Sequence, residues 1–549
     1  MNGFKNSYFL LALMFFMPNG AAAREKIYMV PPVQLLPLKK METNAYGLII
    51  GGKDDVLNEN LWQNTTYPVI ADKFAKTREK LPPAAEKLRL KLLLTAGAPP
   101  LGTTGQAFIT LKLRQLFALG YFDSVYGLMQ KIPEKLRSGE QNKIYAGVLL
   151  LQDMQTACFL TDKESEETFW LRLSAVCAAF KQEEDKALLS LNLLKEQNGE
   201  DAFVTNAVDH FIEGKPLTVK PEKITPFSVA VWRKAGRSLA EIKDKTEDLW
   251  FKKLFVQDET IPVEQRLAEA EQLVQRGLLA PAKLRTYYQQ VMFDDTPDEK
   301  NMSGETLRAL MLQKAAALSS MAEDNIQKQT FLKQGLQSAR RDHLSYAFAS
   351  AAKDVLETLK PDIDTLAESG ELIEAFALAG LNEQAGEWRQ KAEIIFPVSQ
   401  TTADGWYFAE LVEPDKSRHL FIPALESMMA YAEKNQTADE AFIHKIDRLM
   451  LMFKTLEMIQ PDETWNYTSF AEESEESFIA ARQTNPAAAQ ITGRPAGDIV
   501  LEALNALDGS YAGLLRALSL LNAAGLEREA AETALQSADI ILTPKKDDE

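Results

Sequence analysis

The sequence predicts an all-α protein, an irregular α-solenoid of antiparallel helix pairs. Three observations carry that prediction. Apolar residues recur on a 3.6-residue period through most of the chain. Glycines close several of these apolar stripes, as helix ends favour. No run of strand-type alternation lies between hairpin turns. An array of such pairs can wind into a superhelix.

The elements follow in chain order. Residues 1–23 read as a secretory signal, with Lys5 in a short n-region and an apolar stretch from Tyr8 to Met17. Pro18-Asn19-Gly20 breaks the helix, and small residues at 21–23 place cleavage between Ala23 and Arg24. The apolar stretch is too short to span a bilayer, and no later stretch reaches the needed length without charge. An extended segment, 24–60, carries Pro31, Pro32 and Pro37. Helical repeat regions are expected over 61–212 and 228–395, a loop-rich helical region over 396–482, and a C-terminal helical unit over 498–541. The breaks at 213–227, 396–423 and 483–497 hold clusters of Pro or Gly and read as linkers or long ordered loops. Residues 542–549 form a charged tail.

Within these regions the stripes are explicit. Phe169, Leu173, Val176 and Phe180 fall on one face of a helix over 164–182, as do Phe442, Ile446, Leu449, Met450 and Phe453 over 438–457. Further stripes occupy 105–119, 139–160, 184–197, 244–256, 262–276, 303–321, 325–340, 344–359, 498–508, 511–523 and 527–540. The joints repeat a pattern. Gly120, Gly277, Gly370, Gly380 and Gly525 each end an apolar helix, and a small or β-branched residue follows at 125, 282, 375, 385 or 530. These joints resemble the helix–turn–helix unit of tetratricopeptide-type solenoids, although the glycines do not recur at that family's period.

Composition narrows the function classes. The chain has 549 residues, 78 acidic against 61 basic, and a formal net charge of −17. Such a field opposes binding to phosphate backbones. Two Cys and four His exclude a Cys-rich scaffold and most zinc modules.

Catalytic fragments fail on context. Gly127-Leu-Met-Gln130 is similar to a fragment of lytic transglycosylases, yet no Glu lies between Glu86 and Glu134 to act as the acid. Gly47 to Lys53 approaches a phosphate loop, but Asp54 stands where the hydroxyl must be. Ser350-Ala-Ala-Lys353 matches S-x-x-K without a K-T-G partner. Asp294, Thr296, Asp298 and Glu305 sit at calcium-loop positions, with Glu299 in place of the turn glycine. No cofactor motif is complete, so no catalytic, cofactor or metal residue is assigned.

Three features remain as candidate sites. The signal boundary is Ala23–Arg24. Trp406 and Tyr407 follow Gly405 in a loop-like stretch and form a candidate binding loop. Cys158 and Cys177 are a candidate disulfide in an oxidising compartment. A hairpin turning near 162–164 holds them about 10–15 Å apart along the helices, whereas a turn nearer Glu166–Glu167 lets them bridge. The sequence leaves both open.

Phe169-Trp-Leu-Arg-Leu173, Val176-Cys-Ala-Ala179 and Lys186-Ala-Leu-Leu-Ser-Leu191 followed by Leu193-Leu194 resemble a segment of uncharacterised secreted helical proteins of alphaproteobacteria. Some of those carry an antifreeze-glycopeptide-polyprotein label, but this chain has no Ala-Ala-Thr repeats. The resemblance implies a shared architecture and compartment, and no site residues. The expectation is a periplasmic or secreted, non-catalytic scaffold that binds envelope proteins. It binds no nucleic acid and needs no cofactor, and after signal cleavage it has no transmembrane segment. The alternative is a cell-wall or polysaccharide-acting enzyme on a helical toroid.

Overall fold

A computed structural model describes residues 47–537, apart from 53–54, 78–79, 161–166, 296, 319–321, 362, 367–368, 396–439 and 459–492. The signal boundary, the loop with Trp406 and Tyr407, and the tail lie outside the described residues. The described chain is helical, as the stripes predict. Its only extended pairings among the described residues are two isolated bridges, Ile49 with Thr95 and Thr66 with Leu101.

The first helices are α1 (Tyr67–Lys76), α2 (Pro83–Leu94), α3 (Gly105–Ala118), α4 (Phe122–Lys131), α5 (Gly139–Gln152) and α6 (Met154–Cys158). Next come α7 (Thr168–Phe180), α8 (Glu184–Glu196), α9 (Ala202–Glu213), α10 (Pro226–Lys234), α11 (Leu249–Gln257), α12 (Val263–Gln275) and α13 (Pro281–Gln290). The series continues with α14 (Gly304–Ala317), α15 (Ala322–Arg341), α16 (Ser345–Ala351), α17 (Lys353–Leu356), α18 (Ile363–Leu366), α19 (Gly370–Leu378) and α20 (Asn382–Ile395). The last four are α21 (Glu440–Thr455), α22 (Ala496–Ala506), α23 (Tyr511–Ala523) and α24 (Glu527–Gln536).

Local chemistry sets the helix starts. Thr104, Asp201 and Ser510 accept backbone N–H bonds at the N-termini of α3, α9 and α23. Ser138 with Gln141, and Thr225 with Ser228, form reciprocal capping boxes on α5 and α10. The 139–160 stripe is not one helix. Asp153 breaks it by accepting from the N–H groups of Gln155 and Thr156, which starts α6.

The helix ends share one geometry. After α3, the Gly120 N–H donates to the Phe117 carbonyl and the Tyr121 N–H to the Leu116 carbonyl, both at 2.9 Å. With Gly120 at φ +72°, this is the left-handed Schellman ending. Gly277, Gly380 and Gly525 repeat it, each with a leucine donating back into the helix. Gly370 departs from the expectation: it opens α19 as a buried first residue. The small residues at 375, 385 and 530 are buried at the helix contacts, while Ala282 is exposed and Leu284 anchors α13 instead.

Consecutive hairpins pack on each other, as in α7 with α8, α14 with α15, α19 with α20 and α22 with α23. Around them, α5 meets α3 and α10, and α16 meets α12, α13 and α19. The stretch between α9 and α10 is an ordered loop, held where Asn206 Oδ1 accepts from the N–H groups of Thr218 and Val219 at 2.9 Å. Its flanks share one core, because α10 packs back on α5 and α6.

A linear solenoid brings only neighbours into contact. Here α22 also packs on α1 and α2, and α24 packs on α2. Gly497, at the start of α22, donates to the Leu61 carbonyl at 3.0 Å, where a Cβ would meet that oxygen at 2.4 Å. Lys73 of α1 reaches Asp498 at 2.5 Å and Glu502 at 3.5 Å. Trp62, Trp232 and Trp388 are fully buried, so these three serve packing rather than an open groove.

Candidate functional site

Helix ends distant in sequence converge on a cavity of about 1240 Å³. Its walls come from the start of α13, from α16 and α17, from the α19–α20 turn, from the residues after α21, and from α23 and α24. Leu378, Leu456, Met458 and Leu535 give it an apolar floor. Arg285, Lys353, Asp354 and Arg528 bring charges of both signs. Arg285 pairs with Asp354 across α13 and α17, and Arg528 pairs with Glu532 at 3.0 Å. Neither sign dominates, so the lining does not select a polyanion.

Polar groups define its directionality. Ser350 Oγ donates to the Leu378 carbonyl at 3.3 Å, which fixes α16 against α19. Burial pushes the Tyr346 phenol up, and its hydrogen bond with Ser350 opposes that shift. Asn522 Nδ2 donates to the Thr455 carbonyl at 3.2 Å. The other end of that amide, Oδ1, is buried and accepts no hydrogen bond among the described residues.

Ser350 and Lys353 of the S-x-x-K fragment therefore line the cavity, at the break between α16 and α17. The Ser350 hydroxyl is engaged with a backbone carbonyl there. Leu128 and Met129 of the transglycosylase-like fragment are buried in the core. Asp294 and Asp298 stand in the α13–α14 link, and Thr296 lies outside the described residues. Among the described residues no group of three or more His, Cys, Asp or Glu is placed to hold a metal.

Cys158 and Cys177 form a disulfide with Cα atoms 5.5 Å apart. α6 stops at Cys158 and α7 begins at Thr168, and residues 161–166 between them, where the turn is expected, lie outside the described residues. Cys177 lies in the last turn of α7, level with the end of α6, and both sulfurs are buried.

Two buried ion clusters lie outside the cavity, and sequence reading did not single them out. Arg308 of α14 makes a bidentate pair with Glu271 of α12, at 2.7 and 2.5 Å, and reaches Asp342 at 2.5 Å. Tyr288 of α13 donates to the same Glu271 at 2.5 Å. Burial pushes the Glu271 carboxyl up, and Arg308 opposes it. In the second cluster, burial also raises Glu86, opposed by Arg89, while Tyr121 donates to Glu86 at 3.4 Å. Lys253 sits over the Tyr121 ring. Burial lowers this lysine to about 8, against the charges of Glu86 and Asp123. The available signal was a charge set inside an apolar stripe, such as Glu271 between Ala270 and Leu273. A glycan-cleaving site needs two carboxylates facing one cleft. Glu86 and Glu271 each pair with an arginine in the core, whereas Asp354, Glu457, Glu527 and Glu532 are carboxylates of the cavity lining.

The fold and site define an all-helical, disulfide-bridged protein with a large mixed-polarity cavity between helix ends. The chain matches no protein-family model, no curated protein and no solved structure. Among the described residues no helix is long and apolar enough to cross a membrane.

Proposed function

We propose that the chain is a periplasmic or secreted helical scaffold that binds an envelope protein and catalyses no reaction itself. The observation that carries this reading is the cavity. Its 1240 Å³ exceeds the range of about 300–1,000 Å³ usual for small-molecule sites. Apolar residues beside charges of both signs suit a polypeptide segment, which offers apolar side chains and polar groups together. The signal-like N-terminus and the Cys158–Cys177 bridge support an oxidising compartment, where disulfides persist.

Proximity labelling in cells, with the native N-terminus kept, tests the reading. Ala531 is half-buried on the cavity wall, so Ala531→Trp fills space without displacing core atoms. The expected outcome is a short list of envelope proteins for the parent chain. Enrichment should fall by about tenfold, equivalent to 1.4 kcal/mol, for Ala531→Trp at unchanged thermal stability. Equal enrichment from both chains contradicts the site assignment. Labelling of no protein by a folded parent chain turns the reading to glycan ligands.

A further inference from the structure

A pocket of about 740 Å³ opens beside the C-terminal end of α15. That volume lies within the range of about 300–1,000 Å³ usual for small-molecule sites. Its walls come from Gln334, Gln337 and Arg341 of α15, His343 just beyond, Leu307 of α14, and Lys300 in the short turn over Glu299–Asn301. None of these residues lines the larger cavity.

The charges of this lining do not cancel. The chain carries −17 overall, yet the pocket sets Lys300, Arg340 and Arg341 against a single carboxylate, Glu299. Glu299 is taken by Lys314, outside the lining, and Arg340 by Glu371 and Glu374 of α19. Asp342, next to Arg341 in sequence, is held by Arg308 at 2.5 Å. Lys300 and Arg341 therefore carry charge with no ion-pair partner among the described residues. Arg341 is not needed to close the helix either. The carbonyls of Ala339 and Arg340 accept from the N–H groups of Leu344 and His343 at 2.8 and 3.1 Å.

Unopposed cations in a concave site concentrate anions. A guanidinium fork matches the oxygens of a phosphate, and a phosphate monoester carries about −1.5 to −2 charges at pH 7. Two cations suit one such group rather than a run of phosphates, so the acidic chain still opposes nucleic acid. The amides of Gln334 and Gln337 can exchange hydrogen bonds with hydroxyls, and Leu307 alone offers little to a large apolar body. We propose that this pocket binds a small phosphorylated polyol, of the sugar-phosphate class, through Lys300 and Arg341. It is independent of the larger cavity and of what that cavity binds.

Titration calorimetry of the full, disulfide-bonded chain with glucose 6-phosphate tests this. A dissociation constant of about 100 µM order is expected. Arg341→Gln and Lys300→Gln should each weaken binding by about tenfold at unchanged thermal stability, because both side chains are exposed. Lys87→Gln removes the same charge from the exposed surface of α2, outside this lining, and should leave the affinity unchanged. Glucose, which lacks the phosphate, should not bind, and inorganic phosphate, which lacks the hydroxyls, should bind at least about threefold more weakly. A folded parent that takes up no glucose 6-phosphate at about 5 mM overturns the proposal, since that concentration far exceeds the expected constant. Affinity untouched by Arg341→Gln and Lys300→Gln, or lost equally in Lys87→Gln, overturns it as well. Glucose or inorganic phosphate binding as tightly as the ester overturns the ligand class.

Discussion

Arg308 and Glu271 show how a single side chain decides the fate of this core. Both are buried, on helices α14 and α12, and each satisfies the other. Breaking such a pair leaves a buried charge with no counter-ion. Arg308→Leu should therefore cost about 3–5 kcal/mol in urea unfolding. Replacing both partners by apolar residues, as in Glu271→Leu with Arg308→Met, should recover most of that loss. Arg308 also donates to Ser338 Oγ at 3.2 Å, and a double variant as unstable as the single one would mean that the Asp342, Ser338 and Tyr288 contacts matter more than the pair. Lys112 gives the pH counterpart. Its ammonium is fully buried, donates to the Thr95 carbonyl at 2.8 Å, and lies over the Phe108 ring. Burial lowers it from 10.5 to about 7. Between those values the unfolded chain holds a proton that the folded chain has released. Stability contributed by this residue thus rises with pH across that window and is flat below it. Lys112→Met should stabilise near pH 7 by about 1–3 kcal/mol, with the gain shrinking toward pH 10. A gain that stays constant with pH would contradict the burial argument.

At the scale of elements, the disulfide and the helix endings set where hairpins turn. The Cys158–Cys177 bridge closes a segment with a sequence separation of 19 and ties the short α6 to the last turn of α7. Cys158→Ser with Cys177→Ser should cost about 3 kcal/mol, read as a fall in melting temperature that reductant reproduces in the parent. Equal melting with and without reductant would show that α6 is held by packing alone. The sequence reveals some of these turns and hides others for a physical reason. Gly120, Gly277, Gly380 and Gly525 are visible because glycine reaches positive φ cheaply. Gln182, Asn198, His343 and Glu457 adopt the same conformation, with the same return hydrogen bonds. Asn198 and His343 belong to residue types enriched there, so Gln182 and Glu457 are the two that leave no mark in composition. The stripe over 344–359 hides its break in the same way. Ala352 joins α16 to α17 within an apolar run, and no Pro or Gly announces the joint.

The whole molecule is where sequence reading loses its grip. Periodicity reveals each stripe, but not that α22 and α24 return to pack on α1 and α2. That contact rests on Lys73, Arg494, Asp498 and Glu502, ordinary surface residue types whose pairing is tertiary. Glu502 shows its strength. Burial raises its carboxyl, but the hydrogen bonds from Arg494 and Arg516, with the charges of Arg494 and Lys73, outweigh this and hold it at about 2. The cavity is equally hidden, since its lining is drawn from Pro281 through Gln536. Ser350 and Lys353 attract notice as a motif, yet their part in the cavity wall depends on α19 and α24 lying alongside. The central claim is that this cavity receives a polypeptide partner. Site-specific photo-crosslinking in cells tests it most directly. The probe replaces the exposed cavity residue Asn382 and, as a control, the exposed residue Glu264 of α12 outside the cavity lining. The account predicts a discrete envelope-protein adduct from position 382 that Ala531→Trp abolishes, and none from position 264. Adducts of equal yield from both positions, or a 382 adduct indifferent to Ala531→Trp, would contradict it.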